Sequence, residues 1–119
     1  MDNAKPDAAS SETMAEELKT VEEEKLMSGW DDYQKALKTF QEKKYPEVIP
    51  MLKKYAKDYP KSEYLESVAY LAAESEYRVA SVGEEHPNFE KALAAYSYAI
   101  RKYPNSKFQD HALMKLAHI

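Results

Sequence analysis

Cysteine is absent from the 119 residues, which excludes disulfides, thiol chemistry and cysteine–zinc centres. Glycine occurs only twice, too rarely to build the glycine-rich loops that cradle phosphate. No apolar run approaches the roughly 20 residues needed to cross a bilayer. Basic excess is missing as well: 17 lysines and arginines face 21 acids, a net charge of −4. That deficit is local. Residues 1–27 hold eight acids and three bases, so residues 28–119 are near neutral. A near-neutral body lacks the electrostatic footprint of a nucleic-acid binder.

What the chain does have is abundant alanine, glutamate, lysine, leucine and tyrosine, a composition of helices joined by short connections. One phrase is stated twice. Tyr59-Pro60-Lys61-Ser62 closes one apolar run, and Tyr103-Pro104-Asn105-Ser106 closes another 44 positions later. Tyr45, Ile49 and Leu52 find counterparts at the same spacing in Phe89, Leu93 and Tyr96, and Ala73 in Ala117. Self-similarity at a fixed period marks stacked two-helix units, because one unit cannot bury its apolar face alone.

Taken in order, residues 1–11 lack apolar periodicity and read as a flexible arm. They also lack the charged-then-apolar layout of a signal peptide, which leaves both a cytosolic start and a removed export signal open. Residues 12–27 read as an acidic helical extension. It opens on a capping box at Thr13–Glu16 and carries a thin stripe of Met14, Leu18 and Val21 that Lys25 interrupts. Ser28 is a candidate cap for the next helix.

Residues 28–119 form the repeat body, in units of about 28–61, 62–105 and a half unit at 106–119. Trp30, Tyr33, Ala36, Leu37 and Phe40 recur at helical spacing, and a second helix follows from Tyr45 to about Asp58. Pro46 suits its first turn, whereas Pro50 is expected to kink or delay it. Ser62 is expected to cap the third helix, Asn88 the fourth, and Ser106–Gln109 to form a capping box opening the fifth. Residues 82–88 are a polar connector. The fifth helix lacks the second helix of its unit, so its apolar face must meet the fourth helix, a neighbouring copy or residues beyond Ile119; the last is the leading expectation and a neighbouring copy the second.

These units resemble tetratricopeptide repeats, which use about 34 residues with small residues at helix crossings and a closing proline. Ala36, Ala73 and Ala117 stand at the small crossing position of successive first helices, Val48 and Ala92 at that of the second helices, and Pro60 and Pro104 close them. Two departures stand out: Lys43 replaces the usual turn glycine, and the connector lengthens unit two. The run from Tyr33 through Tyr59-Pro60-x-Ser62 is similar to the repeats of bacterial envelope proteins, of the Tol-Pal coordinator and outer-membrane barrel-assembly lipoprotein types. The lipid-bearing cysteine of the latter is not in this chain. The resemblance implies an all-α, right-handed superhelical solenoid of antiparallel helix pairs, about two and a half repeats long. It further implies a periplasmic or outer-membrane-associated scaffold, with a cytoplasmic adaptor as the alternative.

No catalytic constellation is visible. His86, His111 and His118 are the only histidines, and the seven-residue spacing of the last two exceeds the i, i+4 of a helical metal pair. Surface histidines are the ordinary case. No enzyme activity, metal or cofactor is expected. What remains is a surface for a protein or peptide partner. In the resembled repeats the first helices line the concave side, which places Tyr33, Leu37, Phe40 and Gln41 on the groove from unit one. Unit two supplies Tyr70, Glu74, Tyr77 and Arg78, and the half unit Met114 and His118. Tyrosine combines rigid apolar area with a polar tip and is favoured at binding hot spots. The ordinary role of Tyr45, Tyr55, Tyr59 and Tyr103 is inter-helix filling. The competing expectation is a structural one, with the N-terminal helix or the fifth helix pairing between copies.

Overall fold

A computed structural model describes residues 29–82 and 86–119. The expectations for residues 1–28 and for 83–85 of the connector lie outside these. The described residues form five α-helices and no strand: α1 Trp30–Gln41, α2 Tyr45–Asp58, α3 Leu65–Ser81, α4 Glu90–Lys102 and α5 Gln109–His118. None is long and apolar enough to cross a membrane.

The helix boundaries follow from local chemistry. At the end of α1 the amide of Lys44 donates to the carbonyl of Thr39 (3.1 Å) and that of Lys43 to Phe40 (2.9 Å). This is the Schellman arrangement, whose penultimate residue must be left-handed. Lys43 takes that conformation, with φ 62°. Glycine is the usual occupant of such a site, so the departure noted in the sequence falls where the backbone is most demanding.

Helix α2 starts at Tyr45 and continues through Pro50, so the proline does not delay it. The proline is exposed, so its ring and the one carbonyl deprived of a donor are not forced into the core.

The repeated phrase folds into the same turn twice. Tyr59 and Tyr103 leave their helices at nearly the same backbone angles (φ −127°, ψ 64° and φ −130°, ψ 67°). Each precedes a proline that disfavours continued helix. Ser62 Oγ then accepts the amide of Tyr64 (3.0 Å), and Ser106 Oγ that of Phe108 (3.1 Å). Both serines therefore cap a turn ahead of the helix, and α3 and α5 begin three residues later than the serines. Asn88 Oδ1 accepts the amide of Glu90 (2.9 Å) by the same two-residue reach, one position ahead of the N-cap of α4, which is Phe89.

Successive helices pack on one another in chain order. One core cluster joins Ala36, Val48, Leu52, Tyr55 and Val68; the next joins Tyr70, Ala73, Tyr96, Ala99 and Ala112. Helix α3 contributes to both, so it is the shared middle of the body. The small crossing residues Ala36, Val48, Ala73 and Ala92 are buried, which lets the backbones approach closely, while Ala117 is exposed. Withdrawing a side chain such as Leu52 from water contributes about 1.5–3 kcal/mol. Among the described residues every buried side-chain nitrogen or oxygen has a hydrogen-bond partner.

The start of α1 is locked onto the end of α2. Gly29 has φ +54°, and a β-carbon there would meet Tyr55 Oη at 2.5 Å. Tyr59 donates its phenolic proton to Asp32 Oδ2 (2.5 Å). That bond to a carboxylate, aided by burial, pushes the Tyr59 phenol up to about 12.

Candidate functional site

A cavity of about 410 Å3 opens between α1, α3 and α5. Tyr33, Leu37 and Phe40 line it from α1; Ser67, Tyr70, Leu71, Glu74 and Arg78 from α3. Phe108 and His111 close it on the α5 side, and Tyr96 of α4 reaches its floor. Helical spacing explains the lining. Residues 33, 37 and 40, and residues 67, 70, 71, 74 and 78, each fall on one stripe of their helix.

Aromatic contacts give the cavity its shape. Phe40 meets Tyr45 edge-on, with ring centroids 5.2 Å apart, and Tyr70 tilts against Phe108 at 5.5 Å. Tyr33 stacks on Tyr64 at 4.8 Å, tying α1 to the turn before α3. Tyr70 itself is buried and donates its phenolic proton to the carbonyl of Tyr103 (3.0 Å). It is thus both core and cavity wall.

The floor is polar and charged. Glu74 is 9 % exposed, a position that carboxylates occupy only when paired. Arg78 Nε donates to its Oε1 at 2.9 Å, the Tyr96 phenol donates to Oε2, and His111 Nε2 lies 3.2 Å from Oε2. Burial alone opposes the charged form of Glu74. The hydrogen bonds from Tyr96, Arg78 and His111, with Lys115 nearby, outweigh it and hold the carboxyl below its usual range. The same contact raises the Tyr96 phenol, burial being the larger cause and the Glu74 bond the next. Arg78 continues the network: its Nη1 donates to Tyr45 Oη (3.0 Å) and its guanidinium lies 5.5 Å from that ring's centre. Four helices therefore meet at one carboxylate and one guanidinium.

Of the residues the repeat pattern assigned to the groove, Tyr33, Leu37, Phe40, Tyr70, Glu74 and Arg78 line this cavity together. Gln41, Met114 and His118 are exposed and stand apart from it. His118 turns back onto its own helix, with Nδ1 2.8 Å from the carbonyl of Met114. Tyr77 stacks on Phe89 at 5.0 Å, and Lys115 Nζ lies over the Tyr77 ring, 4.3 Å from its centre. Ser67, Leu71, Tyr96, Phe108 and His111 line the cavity without having been assigned to it. The 44-residue spacing pairs Ser67 with His111 and Tyr64 with Phe108, but the repeat pattern placed no member of either pair on the groove, so the spacing alone did not mark them. The first turn of α5 lies beside α3, so His111, though its side chain is 55 % exposed, reaches Glu74, while Met114 stands away from the cavity.

A second cleft of about 650 Å3 lies on the other face of α3, between α2 and α4. It is mostly apolar, with lysines at its edge.

No protein family, curated protein or solved structure matches this chain.

Proposed function

We propose that this chain is a tetratricopeptide-like solenoid whose concave groove binds a peptide or helix of a partner protein, with no catalytic role. The observation that carries the reading is the convergence of three successive odd-numbered helices on one aromatic-lined cavity with a buried charged floor. A concave, mostly apolar site with a few fixed polar groups suits recognition of a side chain within a peptide. The twin Tyr-Pro-x-Ser turns support a repeat architecture. They also favour the envelope branch of that superfamily, and with it a bacterial periplasmic or outer-membrane-associated scaffold over a cytoplasmic adaptor. Cell fractionation of the native protein tests the location.

The binding role is tested by selecting peptides from a random display library on the full chain. Ser67→Arg fills the cavity from a half-buried position. It should weaken selected peptides at least tenfold, while Ala94→Glu on the opposite cleft leaves them unchanged. Peptides indifferent to Ser67→Arg would place recognition elsewhere.

A second reading has its own observation. Leu113, Met114 and Ile119 are 48 %, 56 % and 40 % exposed at the last helix, an apolar face of the kind that marks an interface. Self-association through that face makes the chain a structural module. Light-scattering mass across a concentration series decides it, with Leu113→Glu as the control that keeps a true dimer monomeric.

A further inference from the structure

The cleft on the far side of α3 is built differently from the cavity just described. Leu65, Val68, Ala69 and Ala72 of α3 form its floor, and small or apolar residues of α2 and α4 form its walls. Its rim carries Lys53, Lys91 and Lys102, all exposed, against one acid, Glu76. None of these lysines joins an ion pair among the described residues. An apolar trough with a cationic rim suits an amphipathic helix whose apolar stripe is flanked by acids.

The chain contains such a segment. Residues 13–27 carry Met14, Leu18 and Val21 at helical spacing, with five glutamates against Lys19 and Lys25. We propose that residues 13–27 dock as a helix in this cleft of their own chain.

Three observations carry the assignment. The charges are complementary: five acids in the segment face three lysines on the rim. The lengths agree, since 15 helical residues span about 22 Å and the α2 wall is a helix of 14 residues. The tether is short. Gly29 packs against Tyr55, and Asp32 bonds Tyr59, so α1 begins beside the last turn of α2. That is the end where Pro60 borders the cleft. The segment need only round the end of α2, and a short tether supplies an effective concentration of the order of millimolar. Docking there covers the apolar trough and leaves the cavity on the α1–α3–α5 side open.

The test uses the full chain with its native sequence. A carbodiimide couples carboxylates directly to amines in contact, so the dilute protein is treated, the monomer and dimer bands are separated, and linked peptides are read by mass spectrometry. Links from Glu16–Glu24 should run to Lys53, Lys91 and Lys102 in the monomer band, several-fold over Lys35, Lys43 and Lys115, which do not line the cleft. Raised salt should suppress them. Ala94→Glu, at an exposed wall position, should remove the enrichment without altering helix content. An even spread over all lysines, no links at all, or persistence in Ala94→Glu would overturn the proposal. Enrichment confined to the dimer band would assign the cleft to a second copy and overturn it equally.

Discussion

The phenol of Tyr96 on α4 donates its proton to Oε2 of Glu74 on α3, where helix packing has left 1 % of the tyrosine and 9 % of the glutamate exposed. The bond crosses the interface between the two middle helices and completes the floor of the candidate binding cavity. Its removal takes the phenol's bond from that buried oxygen and leaves it His111 Nε2, 3.2 Å away. Tyr96→Phe should therefore cost about 1.5–3 kcal/mol, read as a lower urea midpoint at unchanged slope. An unchanged midpoint would mean that water replaces the phenol at no cost.

The same carboxylate makes stability depend on acidity. Glu74 titrates below its ordinary value in the folded chain, so the unfolded chain binds its proton first as pH falls. The stabilisation is present above the ordinary carboxylate range, near pH 4.5, and is lost as pH drops through the lowered folded value. Glu74→Gln should be less stable than the native chain at pH 7. The gap should narrow on acidification below about pH 4.5, measured by thermal melts across pH. A gap constant with pH would remove the charge from the account.

Two left-handed residues should respond in opposite directions. At Gly29 a β-carbon meets the Tyr55 ring and forces a left-handed alanine, so Gly29→Ala should cost more than the roughly 1–2 kcal/mol of backbone strain alone. At Lys43 the strain is already present, and Lys43→Gly should raise stability by about 0.5–1 kcal/mol. Calorimetric Tm values for the two variants check both signs.

The twin serines are equivalent in sequence and unequal in load. Ser62 Oγ receives the Tyr64 amide and also bonds the buried Tyr55 phenol (2.8 Å). Ser106 Oγ receives the amide of Phe108 in the matching turn and also meets the Tyr70 phenol, but that phenol donates its proton to the Tyr103 carbonyl. Ser62→Ala should cost about 1–3 kcal/mol, and Ser106→Ala less. Equal losses in chemical denaturation would show that the turn alone matters.

The elements themselves were legible in the sequence, because what makes a helix or ends it acts over three or four residues. Apolar spacing announced each described helix. Tyr-Pro-x-Ser announced both turns, and the oddity of Lys43 announced a strained position. Small alanines at 36 and 73 marked real crossings. Pro50 did not delay its helix, which starts at Tyr45, because the rest of α2 is held by packing of its buried face. Ala117 followed the repeat pattern and is nonetheless exposed. The cavity was half legible: the stripes on α1 and α3 were visible, while the turn of α5 that faces them was not.

By itself, then, the sequence determined an all-helical chain of five described helices with two equivalent turns and a near-neutral body behind an acidic N-terminal stretch. Periodicity and turn chemistry are short-range, and they leave their mark residue by residue. Only tertiary packing decided that Glu74 is a buried hub served by Tyr96, Arg78 and His111, and that His111 lines the cavity while Met114 does not. It also set the two clefts back to back on α3. These outcomes depend on which residues, up to 37 positions apart, are brought within hydrogen-bonding distance, and no local spacing encodes that.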